Sequence, residues 1–175
     1  GDIKFTQTRL MGGADQRVGC DALVMEGTYW DKNHPERALV EQQLRAHAVE
    51  VLESGGTLLL PAFALGRTQE LLLNLWDIGW PVVVDGMGAE ATERMLLHHE
   101  SMRDVKALAR AWGSAQKVRK DKERLAALDK PGVVIATAGM LNGGPIHTYI
   151  KRLLQDEKSS LVYTGFQVPG TVGQV

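Results

Sequence analysis

Five short apolar runs punctuate the chain: Ala22–Met25, Leu58–Leu60, Val82–Val84, Val133–Ala136 and Leu161–Tyr163. They are rich in Val, Leu and Ile and lack polar alternation, the pattern of strands covered on both faces of a parallel sheet. Helical spacing fills the intervals. Val40, Leu44, Ala48, Val51 and Leu52 share one face of a helix ending at Gly55-Gly56. Leu71, Leu72, Leu75 and Trp76 form a second stripe, stopped by Gly79 and Pro81. Residues Glu90–Leu128 read as two or three helices with breaks near Ser101 and Gly113-Ser114, and a last helix follows Pro145. This alternation predicts an α/β domain: a mostly parallel open sheet with helices on both faces. A strandless helical extension is expected around residues 90–128.

The unusual residues gather where the apolar runs end. Met25-Glu26-Gly27-Thr28-Tyr29 closes the first, Pro61-Ala62-Phe63-Ala64-Leu65-Gly66-Arg67 the second and Asp85-Gly86-Met87-Gly88 the third. Thr137-Ala138-Gly139-Met140-Leu141-Asn142-Gly143-Gly144-Pro145 closes the fourth, and Thr164-Gly165-Phe166-Gln167 the fifth. In a parallel sheet these ends open onto one edge, the crevice where such folds bind ligands. Glycines also turn strands into helices in every α/β protein; five such loops together favour a site. Gly143-Gly144-Pro145 sets a proline at a first helical position, after glycines expected to leave N–H groups free for an anion. Gly66-Arg67-Thr68 offers a second helix start with a guanidinium able to grip phosphate. A salt bridge from Arg67 to Glu26, Glu70 or Asp85 explains that arginine equally well.

Other strings carry less. Gly86-Met87-Gly88-Ala89-Glu90-Ala91 follows a strand, but it is the third strand, and no acidic residue ends a strand about 20 residues on as a dinucleotide site needs. No Gly-Lys pair exists for a P-loop, and GxSxG and HExxH are absent. His98-His99-Glu100 lies at a helix end with its histidines pointing apart, and His47 beside an apolar stripe reads as packing or surface. Lys117–Arg124 holds five basic residues together with Asp121 and Glu123, which makes a solvated helix face the first reading.

Composition sharpens this only a little. The 175 residues suffice for one core, and 20 Lys and Arg against 21 Asp and Glu leave a formal charge of -1. Any nucleic-acid contact must therefore be local rather than a field effect. The lone Cys20 fits a reducing, cytoplasmic setting and, just before an apolar run, a buried thiol. No apolar run approaches the ~20 residues of a membrane helix. The start at Gly1-Asp2 and the stop at Val175 suggest a piece of a longer chain.

Taken in order, four stretches resemble the β-CASP metallo-β-lactamase ribonucleases, the family of the endonuclease subunit of the cleavage and polyadenylation specificity factor, its archaeal homologues and ribonuclease J. Gly1-Asp2-Ile3-Lys4 with Thr8-Arg9-Leu10 is similar to the end of the first lactamase half. Asp21–Tyr29 through His34 is similar to the acidic motif A segment, and Pro61–Glu70 to the family's most recognisable string. Ala136–Pro145 with Gly165-Phe166-Gln167-Val168-Pro169-Gly170-Thr171 is similar to the loops facing the active site.

The resemblance implies residues 1–20 as the end of the metallo-β-lactamase half and 21–175 as the β-CASP cap. It implies a complete enzyme that hydrolyses RNA phosphodiester bonds with two zinc ions, and no zinc or cleavage for this piece alone. Asp2 maps onto the metal-bridging ligand, Glu26 onto the motif A acid and His34 onto a histidine near the cleft. Arg67, Gly139, Met140, Asn142, Gly143, Gly144, Gly165 and Thr171 map onto the RNA-facing surface. The partners implied are RNA and the metallo-β-lactamase half of its own chain, with a homodimer left open and no membrane. The HxHxDH string is absent from these residues, the motif B histidine of eukaryotic members falls on Val175, and Gly27 and Trp30 replace a serine and a glycine. These departures point to an archaeal or bacterial branch. A non-catalytic RNA-binding paralogue is the alternative, and a nucleotide- or sugar-phosphate transferase explains the glycine loops but not Pro61–Glu70.

Overall fold

The computed structural model describes residues 3–100 and 102–174. The metal-ligand reading of Asp2, the helix break at Ser101 and the motif B position at Val175 lie outside the described residues.

An arm, residues 3–36, precedes the first regular element. The core elements then follow as α1 (Arg37–Glu53), β1 (Thr57–Pro61), α2 (Arg67–Leu75), β2 (Val82–Asp85), α3 (Met87–Leu97) and α4 (Val105–Ser114). β3 (Gln116–Val118), α5 (Asp121–Ala126), β4 (Gly132–Ala136), α6 (Ile146–Leu153) and β5 (Ser160–Leu161) complete the core, and a 3-10 turn spans Val172–Gln174. The five strands form one sheet in the order β3-β2-β4-β1-β5, and every pairing is parallel.

The absence of polar alternation in the strands has its expected cause. Leu58, Leu60, Val82, Val84, Val133 and Ile135 point to the face covered by α1, α2 and α4. Leu59, Val83, Val134 and Ala136 point to the other, where Ile146 and Tyr149 of α6 meet them. Register places like with like: Leu58 and Val82 both flank Val133, and Leu60 and Val84 both flank Ile135. Successive residues of a strand alternate faces, so each face receives a continuous apolar layer.

The strand order fixes where a crevice opens. β4 lies between β1 and β2. Leu71, Leu72 and Leu75 of α2 and Ala89 of α3 belong to one core layer, whereas α6, which leaves β4, belongs to the opposite one. The chain therefore turns to opposite faces on either side of β4, the topological switch that makes a ligand crevice at the carboxyl ends of the strands.

Three expectations are corrected. Region 90–128 is not strandless: Gln116–Val118 forms edge strand β3, pairing with Val83–Asp85 of β2. Three residues with only Val118 buried are too short and too polar for an apolar-run criterion to detect. Conversely, Ala22–Met25 forms no strand, and Val24 is 98% exposed. Nothing among the described residues pairs with it. Cys20 is correspondingly exposed rather than buried, since no strand follows to shelter it.

The Gly86-Met87-Gly88 string has a packing explanation. A Cβ on Gly88 would fall 2.7 Å from Oγ1 of Thr68. Thr68 is itself buried and hydrogen-bonds the carbonyl of Phe63 at 2.7 Å, so it cannot yield. The glycine lets α3 approach the start of α2.

Candidate RNA-facing site at the carboxyl edge of the sheet

Three loops interlock beyond the ends of β1, β4 and β5. The Ala62 amide donates to the carbonyl of Ala136 at 3.0 Å, and the Thr164 hydroxyl donates to the carbonyl of Pro61 at 2.7 Å. Gln167 Nε2 donates to the carbonyls of Gly139 (3.0 Å) and Gly165 (3.1 Å). The Val172 amide donates to Asn142 Oδ1 at 3.0 Å, and the Gly173 amide to the carbonyl of Met140 at 3.2 Å. Gly139 is required by proximity: a Cβ there would stand 3.2 Å from the backbone of Ala62 and Phe63. Asn142 and Thr171 thus have defined structural duties. Asn142 ties down the terminal turn, and the Thr171 hydroxyl donates to the carbonyl of Val168 at 2.7 Å.

The β4–α6 loop offers donors at its tip, not at the helix start. The Ile146 amide donates to Thr137 (3.1 Å), His147 to Gly144 (3.4 Å) and Thr148 to Pro145 (3.0 Å), so the first-turn amides expected to be free are occupied. The loop folds back on its own strand end and consumes them. The amides of Asn142, Gly143 and Gly144 have no acceptor among the described residues. A Cβ at Gly144 would lie 2.8 Å from the Thr137 carbonyl oxygen at a φ of 81°, so that glycine shapes the loop. A Cβ at Gly143 would meet nothing within 4 Å. Gly143 faces open space.

Beneath this loop lies a buried polar cluster. Asp85, at the end of β2, is 0% exposed. Its Oδ2 accepts from Arg124 Nε at 2.6 Å and from the Tyr149 hydroxyl at 2.9 Å, and its Oδ1 accepts from Arg124 Nη2 at 3.0 Å. Arg124 also pairs with Asp121 at 2.6 Å. Burial, followed by the charge of Asp85, pushes the Tyr149 hydroxyl up, so it remains a donor; hydrogen bonding to Asp85 likewise raises Arg124. This corrects the Lys117–Arg124 reading: Arg124 faces inward. Lys117 is held over the Trp112 ring at 4.7 Å, and Arg119 pairs with Glu93 at 2.9 Å. The signal for the cluster was a lone Asp closing Val82–Val84, since a buried charge needs a partner.

Arg67, at the first turn of α2, is exposed and makes no ion pair among the described residues. None of its three sequence-expected partners takes it. Asp85 binds Arg124, Glu26 binds backbone, and Glu70 accepts from Arg37 Nη2 at 2.6 Å and from the Leu10 amide at 2.9 Å. Partial desolvation, then the neighbouring positive charge of Arg37, lower the Arg67 pKa, with Glu70 opposing. A guanidinium stays charged nonetheless.

Glu26 and His34 lie on the arm, and no hydrogen bond among the described residues ties either side chain to these loops. Glu26 accepts from the amides of Ile3 (3.2 Å) and Thr28 (2.8 Å), and His34 packs edge-on against Tyr29 at 4.5 Å. Glu26 is therefore not at a strand end of this sheet, and no hydrogen bond or ion pair links it to Arg67. The arm itself is anchored: Leu10 is 3% exposed in the core, and the Arg103 amide donates to its carbonyl at 2.9 Å. The two amide hydrogen bonds, that of Thr28 foremost, hold the Glu26 carboxyl below its ordinary 4.5. A depressed folded-state pKa stabilises above the unfolded value and is lost as pH falls through the folded one. The Ile3 and Thr28 amide resonances should therefore titrate together with a midpoint below 4.5. Independent titrations, or a midpoint above that value, would contradict the contact.

Among the described residues no group of three His, Cys, Asp or Glu side chains could hold a metal ion. The described residues alone do not fit a two-zinc centre. His98, His99 and Glu100 are exposed at the end of α3, and His47 bonds the Ser160 hydroxyl across Nε2 at 2.9 Å. No helix among the described residues is long and apolar enough to cross a membrane.

An all-parallel open sheet with its loops converging at the carboxyl edge defines an α/β domain of the open-sheet class. The chain belongs to the Beta-Casp domain family, whose model matches residues 68–175. It is 37% identical to a protein named probable RNase MJ4 of Methanocaldococcus jannaschii over 99% of this chain and 43% of that protein. It is 40% identical to RNase aCSPSF2 of Saccharolobus solfataricus over 99% of this chain and 36% of that protein. It is 35% identical to the transcription termination factor FttA of M. jannaschii over 99% of this chain and 30% of that protein. The chain thus spans well under half the length of these relatives.

Proposed function

We propose that this chain is the RNA-facing cap of a metallo-β-lactamase-fold ribonuclease and that RNA backbone lies across its carboxyl-edge loops. Residues 1–20 would close the metallo-β-lactamase half, and 21–175 would form the cap. The observation that carries this reading is the pairing of an unpaired guanidinium, Arg67, with free amides at Asn142–Gly144 on one sheet edge. Such donors grip phosphate without reading sequence. At a net charge of -1 these local groups, not a general field, must supply the attraction. The names of two relatives describe ribonucleases.

Glu26 and His34 take their roles in this proposal from the family resemblance alone. The arm that carries them exposes Leu23 (64%), Val24 (98%) and Trp30 (86%). Apolar exposure of this kind suits an interaction surface, and the metallo-β-lactamase half of the same protein is its proposed cover. Two zinc ions, when bound, supply an activated hydroxide and stabilise the leaving oxygen. Asp2 would be one ligand, with the others on residues outside this chain. The chain alone should neither retain zinc nor cut RNA, since a catalytic zinc needs about three protein ligands. A longer protein carrying this chain should cleave end-labelled RNA, stop when zinc is chelated and resume on zinc readdition. Binding without cleavage in the zinc-loaded protein would instead favour the non-catalytic RNA-binding paralogue.

A further inference from the structure

A groove of about 420 Å³ lies between α1, α2 and the segment after β5. That volume lies in the ordinary range for small-ligand sites, roughly 300–1,000 Å³. Its lining includes the apolar Val40, Leu44, Leu71 and Val162 together with Arg67 and Tyr163. Neither the free loop amides nor the arm account for it.

Charge decides what fits. Glu41 is taken by Arg9 and Arg37, each at 2.7 Å, and Glu70 by Arg37 at 2.6 Å and the Leu10 amide at 2.9 Å. Both carboxylates beside the groove are thereby consumed, and Arg67 remains as the unpaired charge. Tyr163 is 44% exposed, and a Cβ at the neighbouring Gly173 would crowd its ring at 3.2 Å. Asn74, also in the lining, is 3% exposed, and its buried Oδ1 has no hydrogen-bond partner among the described residues. An aromatic ring, an apolar lining and an unpaired guanidinium suit a ligand with a flat π-face and an adjacent anion. A nucleotide has both.

We infer that this groove is a nucleotide subsite, in which one base of the bound strand stacks on Tyr163 while its phosphate meets Arg67. The inference rests on the RNA reading above and deepens it. Base–aromatic stacking tolerates any sequence because every base presents a π-face.

Salt dependence separates the base contribution from that of the phosphate. With a fluorescent single-stranded oligoribonucleotide as probe, Tyr163→Ala should weaken binding on the order of tenfold without changing the salt slope, and Tyr163→Phe should restore affinity. Arg67→Ala should lower both affinity and slope. Val40→Trp, on a residue 45% exposed and so tolerant of the larger ring, should fill the groove and reproduce the Tyr163→Ala effect. If Tyr163→Ala and Val40→Trp, both shown folded by melting, leave affinity unchanged while Arg67→Ala still weakens it, the subsite is wrong and the RNA reading survives. A loss in Tyr163→Phe equal to that in Tyr163→Ala would also overturn the stacking. Failure of the unsubstituted protein to bind the oligoribonucleotide would overturn both.

Discussion

Asp85→Ala is expected to lower the unfolding free energy by about 3–5 kcal/mol, the range for removing one partner of a buried ion pair. The side chain is 0% exposed and accepts all three of its hydrogen bonds from buried or nearly buried donors. Arg124, whose side chain is 15% exposed, would keep its pair with Asp121 but lose both bonds that turn it inward. The Tyr149 hydroxyl would be left without an acceptor inside the core of α6. Water cannot repair this without opening the layer between α6 and the sheet. Asp85→Asn should fall between, because an amide oxygen can still serve Tyr149 while the charge is gone. Tyr149→Phe removes one donor and one bond, and should cost only about 1 kcal/mol. Guanidinium unfolding at unchanged slope would report these differences as midpoint shifts. A loss below about 1 kcal/mol for Asp85→Ala would show that the cluster is not the anchor that its geometry implies. Because α6 begins at the end of the Gly139–Gly144 loop, the same cluster sets the platform on which that loop stands.

The sequence disclosed the central sheet because its inner strands are apolar on both faces. Leu58–Leu60, Val82–Val84 and Val133–Ala136 can be read without ambiguity, and each became a strand of the sheet. Edge strand β3 escaped because an edge needs no such run; Gln116 and Lys117 are exposed while pairing with β2. The opposite error, a strand at Ala22–Met25, shares the same origin. An apolar run reports that something covers it, not that the cover belongs to the same sheet.

The site was legible in outline for a similar reason. Glycine-rich loops after strands must share one edge once the sheet is parallel, so the convergence of 62–66, 137–145 and 164–174 followed from topology. Their internal hydrogen bonds did not. Pro145 correctly marked the start of α6, yet the amides expected to be free there are satisfied by Thr137, Gly144 and Pro145. The available donors lie at Asn142–Gly144 instead, a shift that depends on how the loop folds back. Pairing among charges was equally invisible. Spacing offered Arg67 three acidic partners, and tertiary packing gave Glu70 to Arg37 and Asp85 to Arg124.

In the proposed function, RNA backbone rests on Arg67 and the tip of the β4–α6 loop. Among the described residues Arg67 makes no ion pair that RNA would have to break, so its charge is available to a phosphate. A charge-assisted contact of this kind contributes about 1.5–3 kcal/mol, roughly ten- to hundredfold in affinity. Losing it should also lower the salt slope of binding by about one unit, with little change in sequence preference. Gly143→Ala acts differently. It adds a methyl group into space with no chain atom within 4 Å, so any effect on binding comes from blocking an approaching ligand. Its φ of 155° disfavours a side chain, so melting must first show that the variant folds. Gly144→Ala would collide with the Thr137 carbonyl and serves as the contrast, losing stability as well as binding. The most direct measurement is the affinity of the Arg67→Ala and Gly143→Ala proteins for two unrelated RNAs across a salt series. The account predicts that folded Arg67→Ala loses at least tenfold on both RNAs and about one unit of salt slope, and that folded Gly143→Ala also weakens both; unchanged affinity and slope in both variants would contradict it.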